Sequence, residues 1–204
     1  MKVNMKQYLS KFAKENIRNL DTSYFSDVVL ETENIKAIMI NEIAANNPND
    51  DFYSHSSNPA YLKTTIPLFK EAGIEVNKIE DILNLGIYIT NAVKFPKTET
   101  MVESSTIKSY MPVLEKEIEL FPNLKVIMLM GDVAKKSFNM ITKKKTKKNA
   151  IPPVSTYKIR SSEIYYDETR LLPSYIMTGK NILIEKSKFQ MAAEDIKKMW
   201  EIIK

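Results

Sequence analysis

Apolar positions along this chain follow two periods, and the alternation between them predicts the architecture. Residues 4–20 carry Met5, Tyr8, Leu9, Phe12, Ala13 and Ile17 at helical spacing. The run 36–40 is apolar, too short for a helix and bounded by polar residues, so it reads as a buried strand. Residues 61–72 read as a helix closed by Gly73, with Pro67 kinking it or marking its start. Residues 87–90 form a second strand. Residues 104–121 give a third helix with Ile107, Met111, Leu114, Ile118 and Phe121 on one face, bent or divided at Pro112. Residues 126–130 are apolar throughout, the pattern of a parallel strand buried on both faces.

The later part of the chain continues the alternation. Residues 132–141 read as a helix, 157–160 and 164–166 as a hairpin around Ser161-Ser162, and 170–172 as a fourth strand. Residues 181–184 read as a short extended piece. The closing helix spans 187–203, with Ser187 and Gln190 at capping-box spacing and Phe189, Ala193, Ile196, Trp200 and Ile203 as its stripe. Trp200, Met39, Met128 and Met130 read as core. Strands alternating with helices predict an α/β fold: a three-layer α/β/α sandwich around a four-stranded parallel sheet, as one domain over residues 1–204.

In such sheets ligands sit beyond the carboxyl ends of the strands. Asn41-Glu42, Asn91, Gly131-Asp132 and Pro173-Ser174 all fall there. Residues 46–59, dense in Asn, Asp, Ser and Pro, form a loop long enough to suggest function.

Composition narrows the chemistry. The 204 residues contain no cysteine and one histidine, His55. Disulfides, thiolate zinc sites, cysteine-ligated clusters and multi-histidine metal centres are excluded. The absence of cysteine fits a reducing cytoplasm, and no apolar run suits a signal or a membrane span. Only four glycines are present, with no dinucleotide or Walker phosphate motif. No metal and no cofactor is expected, and the chain is expected to be a monomer.

Formal net charge is +5, unevenly placed. Between Val133 and Ser162 there are nine Lys or Arg and no acid. The densest part holds Lys143, Lys144 and Lys145, read as a lysine loop suited to phosphate. Lys180, Lys186 and Lys188 form a second cluster, and Arg160 and Arg170 can hold phosphate or pair with acids.

Amides, carboxylates and aromatics at strand ends suit capture of a flipped nucleobase. Asn91 offers an acceptor and two donors to a pyrimidine edge. Phe52 or Tyr53 can stack on the ring or anchor the loop. Asp50, Asp51 or Glu42 can orient water or stabilise a cationic sugar, and Glu42 can equally pair with Lys94. Tyr175, after Pro173-Ser174, can wedge into a duplex.

The order and spacing of these segments resemble the uracil-DNA glycosylase superfamily from about residue 36 onward. Residues 41–53 resemble its first motif, Thr90-Asn91-Ala92-Val93-Lys94 its Thr-Asn-x-Val-Lys segment, residues 126–134 its third strand, and Leu172-Pro173-Ser174 its His-Pro-Ser loop. The resemblance extends to an uncharacterised divergent branch of bacterial and archaeal type. It favours Asp50 over Asp51, as the acid two before Phe-Tyr. It implies a metal-free glycosylase acting on DNA, single- or double-stranded: Asp50 and Glu42 catalytic; Asn91, Phe52 and Tyr53 on the base; Pro173, Ser174, Tyr175 and the lysines on DNA. Two departures stand out. Leu172 replaces the histidine, whose place His55 can take, and Ile43-Ala44 replaces the Asp, Asn or Ala-Pro of the first motif. They keep open a non-catalytic nucleic-acid or nucleotide-binding module on the same fold. A hydrolase of free nucleosides or nucleotides is a third reading.

Overall fold

A computed structural model describes residues 1–96 and 101–204. In chain order the elements are β1 (Lys2–Asn4), α1 (Met5–Asn16), β2 (Val29–Glu31), β3 (Ala37–Ala44), α2 (Ala60–Glu71), α3 (Ile79–Asn84), β4 (Ile87–Pro96), α4 (Ser104–Ile118), β5 (Val126–Met130), α5 (Asp132–Thr146), α6 (Thr156–Ile159), β6 (Ile164–Tyr166), β7 (Thr169–Ser174), α7 (Asn181–Ile184) and α8 (Lys186–Ile203).

The main sheet has five strands in the order β4-β3-β5-β7-β6, not four. β4, β3, β5 and β7 are parallel, and β6 adds an antiparallel edge to β7. The expected hairpin between 157–160 and 164–166 does not form. Residues 156–159 coil into α6, and β6 pairs instead with β7 across a turn at Asp167, whose φ is +51°. Alternation in a run this short does not separate one helical turn from a strand. Residues 181–184 are likewise a helical turn rather than an extended piece.

β3, β5 and β7 are the inner strands, and Ala37 to Ile40 and Val126 to Met130 are all buried, as continuous apolar character requires. α4 and α5 pack against one face, with α1 outside α4; α8 covers β5 and β7 on the other and packs on α2. This is the three-layer sandwich.

Gly73, at φ +79°, ends α2 as expected, and Pro67 and Pro112 sit inside α2 and α4. A separate two-stranded sheet of β1 and β2, and helix α3, were not anticipated. Glu185 precedes α8, and no side chain caps it, so the Ser187–Gln190 box is not made. Residues 143–146 are the last turn of α5, not a loop. Lysines there complement the negative helix end.

Candidate active site at the carboxyl end of the sheet

The parallel register of β3 and β4 sets Asn41 directly beside Asn91. Both strands run past these residues, so the two amides stand within the sheet, near its end, and both are buried. Asn41 Nδ2 donates to Asn91 Oδ1 at 2.8 Å. Asn91 Nδ2 donates to Asp51 Oδ2 at 3.0 Å. From the loop after β7, the Thr178 hydroxyl donates to Asn41 Oδ1 at 3.1 Å. The result is a directed chain, Thr178 to Asn41 to Asn91 to Asp51, in which each link donates toward the carboxylate.

Asp51 also accepts from the backbone N–H of Ala45 at 3.1 Å and of Phe52 at 2.8 Å. Burial pushes its carboxyl above the usual range, while these hydrogen bonds and the nearby Lys94 charge pull it back. The acid that meets Asn91 is therefore Asp51. Asp50 lies one residue earlier, at the end of a 3-10 turn, where it accepts from Ala60 N at 3.3 Å and caps the start of α2.

Lys94 holds the backbone behind Asn91. Its buried ammonium donates to the Asn91 carbonyl at 2.8 Å, to Thr90 Oγ1 at 2.9 Å and to Glu117 Oε2 at 2.7 Å. Glu117, on α4, also accepts from Tyr88 and Thr90 hydroxyls at 2.7 and 2.9 Å. Glu117 escaped sequence reasoning, although an acid beside Val113 and Leu114 on the buried stripe of α4 was the available signal. The partner of Lys94 is thus Glu117, not Glu42.

Glu42 turns to the next helix. Its Oε1 accepts from Val133 N at 2.9 Å in the first turn of α5, where a carboxylate meets the positive helix end. Gly131 makes room for it. Its φ is +96°, and a Cβ there would collide with the Glu42 carboxylate and lie 2.6 Å from Ile176.

The two aromatics of the loop pack inward. Phe52 is buried against Tyr61, ring centroids 5.1 Å apart. Tyr53 stacks on Tyr88 at 5.8 Å, and its hydroxyl oxygen accepts from Ile89 N at 3.0 Å on the outer edge of β4. Burial raises the Tyr53 hydroxyl far above its ordinary range, so it stays neutral.

A cleft of about 740 Å³ is lined by Glu42, Gly131, Tyr157, Ser174, Ile176 and Lys180 among others; Asn91 and Asp51 do not line it, but Thr178, which does, links it to Asn41. Ser174 reaches it only in part, because its buried hydroxyl donates to Asp195 at 2.7 Å. Pro173 is buried in β7 opposite Leu129, beyond the end of β6, where its missing N–H costs no ladder bond. Tyr175 is partly buried against Met191, and the exposed apolar tip of this loop is Ile176, at 42%. Leu172 lies in the core, 1% exposed, and His55 sits on the surface of its loop.

The lysine run stands apart from the strand ends. α5 starts at the cleft and runs away from it, so Lys143 to Lys145 lie about 17–20 Å along its axis. Lys144 pairs with Glu115 at 3.1 Å, and Lys145 with Glu115 at 3.1 Å and Glu119 at 2.9 Å. Arg160 pairs with Glu194 and Asp195, and Arg170 is buried, bonded to the Ser162 carbonyl and stacked on Tyr165.

Among the described residues no group of three or more acids or histidines could hold a metal, and no helix is long and apolar enough to cross a membrane. In a parallel α/β sandwich the carboxyl ends of the strands are where ligands bind, and here they carry buried amides and a carboxylate. Residues 32–201 match the model of the uracil DNA glycosylase superfamily, and the chain belongs to that family. No curated protein matches it.

Proposed function

We propose that this protein recognises a nucleobase in DNA and hydrolyses its N-glycosidic bond, with Asn91 reading the base and Asp51 serving the reacting sugar. The observation that carries this reading is the directed hydrogen-bond chain. It uses one Asn91 N–H and one Oδ1 lone pair, leaving one donor and one acceptor on an amide whose orientation is fixed. A fixed donor–acceptor pair complements the imide edge of uracil or the lactam edge of a deaminated purine.

Asp51 accepts three hydrogen bonds, and an ionised carboxylate has about four acceptor sites. The remaining site can take a proton from water as its oxygen bonds to C1′ and the C1′–N bond breaks. The base leaves with the bonding pair, and the carboxylate offsets the positive charge of the sugar. Glu42 is a carboxylate that lines the cleft.

One observation favours the second reading, a binding module without hydrolysis. Leu172 is buried within β7 and His55 is exposed on the surface of its loop, so no imidazole is identified to steady a departing base anion.

The test is base release from labelled oligonucleotides carrying uracil, hypoxanthine, xanthine or thymine mispairs, with alkali revealing abasic sites. Release that falls at least about a hundred-fold in Asp51→Asn and Asn91→Ala supports hydrolysis. Asp50→Ala then retains release. No release from any substrate, with base-selective binding retained, leaves the binding module.

A further inference from the structure

We propose that a groove along α5 is the subsite for the single strand flanking the recognised base; this rests on the nucleic-acid reading above. A second space of about 540 Å³ runs between α5 and the chain segment before α6. It shares Asp132 and Ser155 with the cleft, so the two form one path leading away from the strand ends.

One wall is a single helical face. Lys136, Asn139, Met140 and Lys143 follow i, i+3, i+4, i+7 spacing. The opposite wall is Pro152, Pro153 and Val154. Asn139 ties the walls together, donating to the Ile151 carbonyl at 2.8 Å and accepting from Ile151 N at 2.8 Å. Lys135, buried, adds a second tie through Thr156 at 2.9 Å, its charge met by Asp132 at 2.7 Å. The groove is therefore built and braced.

Its free charge is positive. Lys136 and Lys143 are exposed; the Lys136 ammonium donates to the Ser104 hydroxyl at the start of α4, and neither lysine has a carboxylate partner among the described residues. They stand about 10 Å apart along the helix. The volume is that of one drug-sized ligand, which suits one strand and not two. Where groove and cleft meet, Tyr157 is 71% exposed and lines the cleft, an aromatic face for an adjoining base. Lys144 and Lys145, neighbours of Lys143 in sequence, turn instead to Glu115 and Glu119.

The experiment is equilibrium binding of a fluorescein-labelled oligothymidylate and its duplex over a salt series. Wild type is expected to prefer the single strand. Lys136→Gln with Lys143→Gln lowers the slope of log affinity against log salt by about 1.4, and weakens low-salt binding about ten-fold. Tyr157→Ala weakens binding about ten-fold with the slope unchanged. The matched control, Lys144→Gln with Lys145→Gln, leaves slope and affinity near wild type. No oligonucleotide binding, an unchanged slope in the first variant, an equal loss in the control, or equal binding of single strand and duplex overturns the subsite. Groove-dependent binding without base release would sustain the subsite and remove hydrolysis alone. Base release indifferent to the groove variants, with binding equally indifferent, would do the reverse.

Discussion

Lys94 Nζ lies 2.7 Å from Glu117 Oε2, and neither side chain is more than 3% exposed. A buried ion pair gains little over a well-packed apolar pair, but breaking it strands a charge. Lys94→Met is therefore expected to destabilise the fold by about 3–5 kcal/mol. Adding Glu117→Gln removes the stranded charge, keeps an acceptor for Tyr88, and is expected to recover a large part of that loss. Denaturant unfolding of wild type, single and double variants measures both steps. A double variant no more stable than Lys94→Met would show that the ammonium acts through its bond to the Asn91 carbonyl instead.

Gly131→Ala addresses the junction of β5 and α5. The new methyl meets the Glu42 carboxylate and Ile176, on a backbone at φ +96°. A cost of about 2–3 kcal/mol is expected from strain and clash together. Glu42→Gln keeps the neutral cap and should cost less than about 1 kcal/mol. If both substitutions shift the thermal midpoint equally, the close approach at Gly131 is not what sets its identity.

Tyr53→Phe removes one oxygen from the core. The Ile89 N–H on the open edge of β4 then loses its acceptor, a loss of about 1–3 kcal/mol for a buried donor. Amide exchange at Ile89 should accelerate more than at Ile87 or Ala92. Unchanged exchange at Ile89 would mean that water replaces the phenol.

Asp195 supplies a pH dependence with a definite sign. Burial pushes its carboxyl from 3.8 up to about 6, against the pull of Ser174 and Arg160. Between these values the folded protein holds a proton that the unfolded chain has released. Stability from this group is complete below pH about 4 and declines as pH rises to about 6, by on the order of 2–3 kcal/mol. Asp195→Asn should flatten that decline. Urea midpoints for the two proteins across pH 4 to 7 give the comparison, and parallel curves would assign the titration elsewhere.

The sheet was largely legible because its signals are local. Val126 to Met130 is apolar at every position, and Gly73 is where a left-handed residue must be. Asn91 stood out because a polar amide interrupts such a run. What escaped depends on register and on distant chain. Nothing local in Asn41 says that it lies opposite Asn91, since that follows from how β3 and β4 align. Asp50 and Asp51 are neighbours in the same turn, and only the fold decides that one caps α2 while the other reaches the amide. Lys143, Lys144 and Lys145 look equivalent in sequence; helix rotation sends two of them to α4 and leaves the third in the groove. The antiparallel strand β6 was mis-paired because three residues carry too little pattern to choose a partner.

The chain from Thr178 to Asp51 has a polarity, and two acceptors set it: the Asp51 carboxylate beyond Asn91, and the Ile43 carbonyl, which accepts from Asn41 Nδ2 at 3.0 Å. A carboxylate only accepts while ionised, so Asn91 must turn its nitrogen to Asp51 and its oxygen to Asn41. Put a proton on Asp51, or an amide in its place, and Asn91 still turns its oxygen to Asn41, whose nitrogen the Ile43 carbonyl holds in place. The choice of partner molecule thus belongs to no single residue. It is written by a charge on a loop and by a backbone carbonyl of β3, and the two meet at Asn91.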